Sequence, residues 1–124
     1  MNTQEDAEQR CAVGELCCQP VLQAELGAFE AGVLASALRA LADPTRLRLL
    51  SLIRLAPNGR AMTHVLAESV ALTQPTVTHH LGSLYEAGLV HRERDGRQTW
   101  YSVNSDGLQA IRQLLEPAAS ADAG

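Results

Sequence analysis

The stretch Met62–Val90, "MTHVLAESVALTQPTVTHHLGSLYEAGLV", constrains the fold more than any other part of the chain. It reads as helix, tight turn, helix. Thr63 is placed to cap a first helix running through Val65, Leu66 and Val70, and Leu72 is expected as a buried turn residue. Thr73 is placed to cap a second helix with Pro75 in its first turn. On that helix Val77, Leu81, Leu84 and Gly88 fall on one face at offsets 0, 4, 7 and 11. Pro75, Thr76, His79 and Ser83 fall roughly opposite. His80 lies nearer the buried face and is expected to be a hydrogen-bonded packing residue. Gly88 suits a left-handed helix C-terminus.

The flanking segments decide what kind of helix-turn-helix this is. Downstream, "LVHRERDGRQTWYSV" reads as a hairpin: Leu89-Val90 and Trp100 to Val103 make the strands, and Asp95-Gly96 marks the turn. Ser105 is placed to cap a last helix carrying Leu108, Ile111, Leu114 and Leu115 on one side. Upstream, "ADPTRLRLLSLIRLAP" gives a helix with Asp43 as N-cap and Pro44 at the first helical position. Its apolar face is Leu47, Leu50, Leu52, Ile53 and Leu55, and Pro57-Asn58-Gly59 ends it. Before it, Val21 to Ala42 is helical in pattern, with Phe29, Val33, Ala37 and Leu41 on one stripe and Leu34 and Leu38 beside it. The fold class that follows is mainly α with a small β-wing: a winged helix-turn-helix with extra helices at both ends. So small a domain buries its terminal apolar helices most simply against a second copy. The domain reading is 1–20 as an N-terminal cysteine-containing sensor segment, 21–117 as the DNA-binding and dimerisation domain, and 118–124 as a tail.

In a helix-turn-helix the second helix enters the major groove with its N-terminal residues near base edges. Here those residues are Gln74, Thr76, Thr78 and His79, types that pair with adenine or contact several bases and phosphates. The wing adds Arg92, Arg94 and Arg97, suited to phosphate or minor-groove contact. A net charge of −4 argues weakly against nucleic acid. The distribution reverses this. Residues 39–97 carry eight arginines against five acids, a local balance of +3, while residues 1–30 are at −5. Local charge, more than the total, governs phosphate binding. A protein-interaction module built on the same fold is the competing reading.

Three ordered blocks, "RALADPTRLRLLSLI", "LTQPTVTHHLGSLYEAGLV" and "RDGRQTWYSV", resemble the ArsR/SmtB family of bacterial metal-responsive repressors. The match runs from about Leu38 to Val103. The resemblance implies a homodimeric winged helix that binds double-stranded palindromic operator DNA without effector and releases it when an ion binds. It also implies that the helices near 30–42 and 105–116 form the dimer.

The chain departs from the family at several known sensor positions. A Cys-x-Cys pair in the helix before the recognition helix would fall on Met62 and His64 here. A carboxylate–histidine site on the C-terminal helix finds no histidine after His91, and the recognition helix has no cysteine. All three cysteines lie in "CAVGELCC": Cys11, Cys17 and Cys18. Three thiolates suit a soft ion, and some family members that sense arsenic resemble this arrangement, with an adjacent cysteine pair near the N-terminus and a third thiol elsewhere. The expected effector is As(III) or Sb(III) on these three thiolates. In one straight helix Cys11 and Cys18 would stand about 10 Å apart. So either the segment bends at Gly14 or ligands come from both subunits. A soft divalent ion such as cadmium, lead or zinc, with His64 as a possible fourth ligand, and thiol oxidation are the alternatives.

No apolar run reaches the roughly 18 residues of a membrane helix. The acidic N-terminus lacks the basic and apolar regions of a signal peptide, so a cytoplasmic protein without a membrane partner is expected. There, clustered thiols serve as metal ligands or redox groups more often than as a disulfide frame. An enzyme such as a thiol oxidoreductase often has an anion-binding loop beside its reactive cysteine. No glycine-rich phosphate loop follows a strand in this chain, and neither enzymatic activity nor a catalytic cofactor is expected.

Overall fold

A computed structural model describes residues 25–116. The cysteine segment and the C-terminal tail lie outside the described residues. Among the described residues, five α-helices, one 3-10 turn (Pro57–Gly59) and three short strands follow in the order α1 (Ala28–Leu41), α2 (Pro44–Leu55), the 3-10 turn, β1 (Arg60–Met62), α3 (Thr63–Val70), α4 (Gln74–Glu86), β2 (Val90–Asp95), β3 (Gln98–Val103) and α5 (Ser105–Leu115). The sheet is antiparallel in the order β1-β3-β2, with Ala61 and Arg92 both opposite Tyr101. The winged helix-turn-helix expected from the sequence is the observed fold.

Local chemistry sets the element ends. The Asp43 carboxylate accepts from the backbone N–H of Thr45 at 2.8 Å and of Arg46 at 3.2 Å, and Pro44 follows at the first helical position. The Thr73 hydroxyl caps α4 by accepting from the Thr76 N–H at 3.4 Å. Between α3 and α4, Ala71 turns the chain in the left-handed region at φ 61°, ψ 41°, a conformation that crowds a Cβ. The wing turns through Gly96–Arg97, with Gly96 at φ 64° between the paired Asp95 and Gln98. Glycine at the first of two loop positions suits the twist of a tight hairpin.

The core is built where the helical stripes meet the sheet. Leu34 of α1, Leu49 and Ile53 of α2, Leu66 of α3, Val77, Leu81 and Leu84 of α4, and Leu89 beyond it are almost wholly buried. Tyr101 closes the core from β3. The three inward residues of α4 are those picked out by its sequence periodicity.

Several details differ from the sequence reading. The helix expected from Val21 begins, among the described residues, at Ala28; residues 25–27 lie in no helix or strand, and Gly27 stands extended at the N-cap. Its buried stripe is Leu34, Ala37 and Ala40, while Phe29 is 71% exposed. On α2, Leu49 is buried, whereas Leu47 and Leu55 are exposed. Thr63 is the first helical residue of α3 and Met62 occupies the N-cap, without a side-chain cap. Leu72 is 39% exposed, because the turn is secured by the Ala71 geometry and a Leu72 N–H to Ala67 carbonyl bond instead of by burial. Asn104, not Ser105, caps α5: its Oδ1 accepts from the Asp106 N–H at 3.2 Å. Strand β1 is three residues long, too short to carry an alternating pattern.

Candidate nucleic-acid interface

Helix α4 separates its residues cleanly. Val77, Leu81 and Leu84 face the core, and Gln74, Pro75, Thr76, Thr78 and His79 are exposed. These five occupy the first two turns, so their side chains and the N-terminal end of the helix dipole face outward together. The Thr73 hydroxyl also donates to the Thr76 hydroxyl at 3.0 Å, which fixes the first turn. Gln74, Thr76, Thr78 and His79 thus stand together as the sequence reading placed them.

The wing supplies the cations. Strand alternation puts Arg92 and Arg94 on one face of β2, opposite Tyr101 and Thr99, and both are exposed. Arg97 sits exposed in the turn. Arg92 lays its guanidinium over the Tyr85 ring of α4, 3.9 Å from the ring centre. That contact joins the wing's cationic face to the recognition helix. Arg94 Nε donates to the Gly96 carbonyl at 3.1 Å, which steadies the wing turn.

The other face of the hairpin is organised differently. Arg60 stacks on Trp100 at 4.0 Å and approaches Glu93 at 3.7 Å. Both charges of that pair are well exposed, so it adds little to stability. Arg60 is thereby partly neutralised and does not extend the cationic patch.

Sequence reasoning found His80 as a packing residue and missed what it packs with. Arg46 Nε donates to His80 Nδ1 at 3.1 Å, and Arg46 Nη1 donates to the Ala40 carbonyl at 3.3 Å. Partners 34 residues apart leave no trace in local periodicity. The Asp43 carboxyl beside them is held below the usual carboxylate range, mainly by the hydrogen bond from the Arg46 N–H. Burial opposes this shift, and the Thr45 N–H and the nearby Arg46 charge add to it.

Among the described residues no group of three or more His, Cys, Asp and Glu side chains is placed to hold a metal ion. Met62, the α3 N-cap, and His64, in its first turn, are partly buried. Cys11, Cys17 and Cys18 lie outside the described residues. No helix among the described residues is long and apolar enough to cross a membrane.

A family model described as "Helix-turn-helix domain" matches residues 41–93. The arsenical resistance operon repressor of Staphylococcus xylosus is 33% identical over 91 residues, covering 73% of this chain and 85% of that protein. A probable mercury resistance operon repressor of Streptomyces lividans is 36% identical over 85 residues, covering 68% of this chain and 66% of the other. Among solved structures, the homodimeric winged helix-turn-helix DNA-binding domain of a possible ArsR-family transcriptional regulator from Mycobacterium bovis superposes with a TM-score of 0.60. It covers 80% of this chain and 87% of its own at 24% identity, a likeness of fold.

Proposed function

Because the chain belongs to the ArsR family of helix-turn-helix transcriptional regulators, we propose that it is a homodimeric repressor that binds operator DNA and lets go when a thiophilic metalloid binds its N-terminal cysteines. The observation that carries the DNA reading is the exposed cluster Gln74, Thr76, Thr78 and His79 beside the arginine face of the wing. The helix supplies base contacts and the wing supplies phosphate contacts.

Dimerisation fits the apolar surface left on the terminal helices. Phe29 and Leu38 of α1 and Leu115 of α5 are exposed at 71%, 39% and 72%, a liability that a second copy relieves. Two copies related by a twofold axis would offer their α4 helices to half-sites about 34 Å apart.

The effector assignment rests on chemistry and on the relatives' names. The only thiols of the chain are Cys11, Cys17 and Cys18, and the Staphylococcus xylosus relative is an arsenical resistance repressor. As(III) and Sb(III) favour a pyramid of three thiolates, and the adjacent Cys17–Cys18 pair is the firm part of such a set. Binding would tie Cys17 and Cys18 to Cys11 and shift the dimer away from its DNA-competent arrangement. A coupling of 10- to 100-fold in operator affinity, about 1.4 to 2.7 kcal/mol, suffices. A soft divalent ion is the second reading, favoured by the similarity to a probable mercury resistance repressor.

The DNA reading is tested by selecting duplexes of about 30 base pairs from a random pool with the protein at low salt, then measuring affinity by fluorescence anisotropy. A specific duplex should emerge, and Gln74→Ala with Thr76→Ala should lose most of the preference for it while retaining weak, salt-sensitive binding. Failure to bind any duplex at low salt overturns the repressor reading.

A further inference from the structure

The Arg46 side chain ties three helices together. From α2 it donates to the last turn of α1 at the Ala40 carbonyl, 3.3 Å, and to His80 of α4 at 3.1 Å. Its own backbone N–H is held by the Asp43 cap at 3.2 Å. The root of the guanidinium is therefore fixed, and its two ends set α1 and α4 relative to each other. His80 sits on the flank of α4 between the buried stripe and the exposed residue His79, whose ring centre is 6.0 Å away. A change in how Arg46 holds His80 thus reaches the outward-facing turns of the helix through one rigid element.

The bond to His80 has a chemical condition. Nδ1 accepts from Arg46 only while it keeps its lone pair, so the imidazole must be neutral with its proton on Nε2. Histidine is the side chain that ordinarily exchanges a proton between about pH 5 and 8. A proton added to Nδ1 turns the acceptor into a donor and sets imidazolium against guanidinium. Charged and titratable groups beside His80 include Arg46 of α2, Asp43 at the α2 N-cap and His79 of its own helix. Asp43 offsets part of the repulsion but cannot restore the lost acceptor. From α1 the tie receives the uncharged Ala40 carbonyl, and Arg39 is turned to the Ser36 hydroxyl at 3.2 Å.

We propose that Arg46 and His80 form a proton-sensitive tie that positions the recognition helix against α1, so that DNA affinity falls when His80 becomes protonated. The inference rests on the DNA reading above. Arg46 is a positioning residue, not a DNA contact. If α1 is a dimer helix, the same tie carries changes in the dimer to α4.

The test compares two full-length proteins on the duplex selected by the wild-type chain. The first is the wild type. The second carries His80→Asn, whose Oδ1 stands near the place of Nδ1 and accepts a bond without taking up a proton. From about pH 8 to about pH 5.5 the first protein should lose roughly tenfold in affinity and the second under about threefold. His64, His79 and His91 are present in both proteins and cancel in the comparison. Arg46→Lys keeps the charge but cannot make both bonds, so it should lower affinity at pH 8 and flatten the profile. Parallel pH profiles with and without His80→Asn would overturn the proposal while leaving the DNA reading intact. Absence of a selected duplex would instead fall on the DNA reading itself.

Discussion

The guanidinium of Arg92 lies over the ring of Tyr85 at 3.9 Å, so the wing and the recognition helix touch through a cation and an aromatic face. A stacked arginine is held in place while its outer N–H groups stay available to a phosphate. Tyr85→Leu removes the ring and keeps the charge. Specific affinity should fall about 2- to 5-fold with an unchanged salt slope. Arg92→Ala should weaken binding too, and should reduce the slope of log K against log salt by about 0.9. Anisotropy titrations across a salt series separate the two effects.

Asn104 is the buried polar side chain of the described core, at 7% exposure. Its Nδ2 donates to the Gly88 carbonyl at 2.9 Å and its Oδ1 caps α5. Asn104→Ala leaves a buried carbonyl unpaired and uncaps a helix. It should cost about 2 to 3 kcal/mol, read as a lower urea midpoint with an unchanged m-value.

Ala71 holds a left-handed conformation at φ 61°. Glycine adopts that region without a Cβ clash, at the expense of more entropy lost on folding. Ala71→Gly should stabilise the fold by up to about 1 kcal/mol, seen as a thermal midpoint raised by a few degrees. It should leave DNA affinity within about twofold, since Ala71 is not among the base-facing residues.

The Asp43 carboxyl is stabilised in its ionised form, chiefly by the Arg46 N–H. A carboxyl whose value is lowered on folding contributes stability that is present above its unfolded value of about 3.8. That contribution is lost as pH falls through the lower folded value. The wild type should therefore lose stability between about pH 5 and pH 2 more steeply than Asp43→Asn, which keeps an N-cap oxygen but does not titrate. Urea midpoints at several pH values give the comparison.

The architecture was legible because α4 and the wing obey strong local rules. Val77, Leu81 and Leu84 repeat at helical spacing, Thr73 and Asp43 cap where expected, and Gly96 turns the hairpin. The outward cluster from Gln74 to His79 follows from the same periodicity. What local rules could not give was long-range pairing. Strand β1 exists only because Ala61 pairs with Tyr101, 40 residues on, and Arg46 finds His80 across the fold. Leu49 displaced Leu47 in the core because leucines are spread around α2 between its arginines, which leaves tertiary packing to choose the buried face. Asn104 replaced Ser105 as cap because its amide also meets the Gly88 carbonyl, a partner that Ser105 does not engage.

The central claim joins operator DNA to the thiols of the N-terminal segment. Its most direct test is the release of the selected duplex by arsenite, followed by anisotropy, for the wild type and for Cys17→Ser/Cys18→Ser. The wild type should release DNA with a 10- to 100-fold loss of affinity. The double variant should bind DNA equally well without arsenite and stay bound when it is added. Release of the double variant at the same arsenite concentration as the wild type would contradict the account.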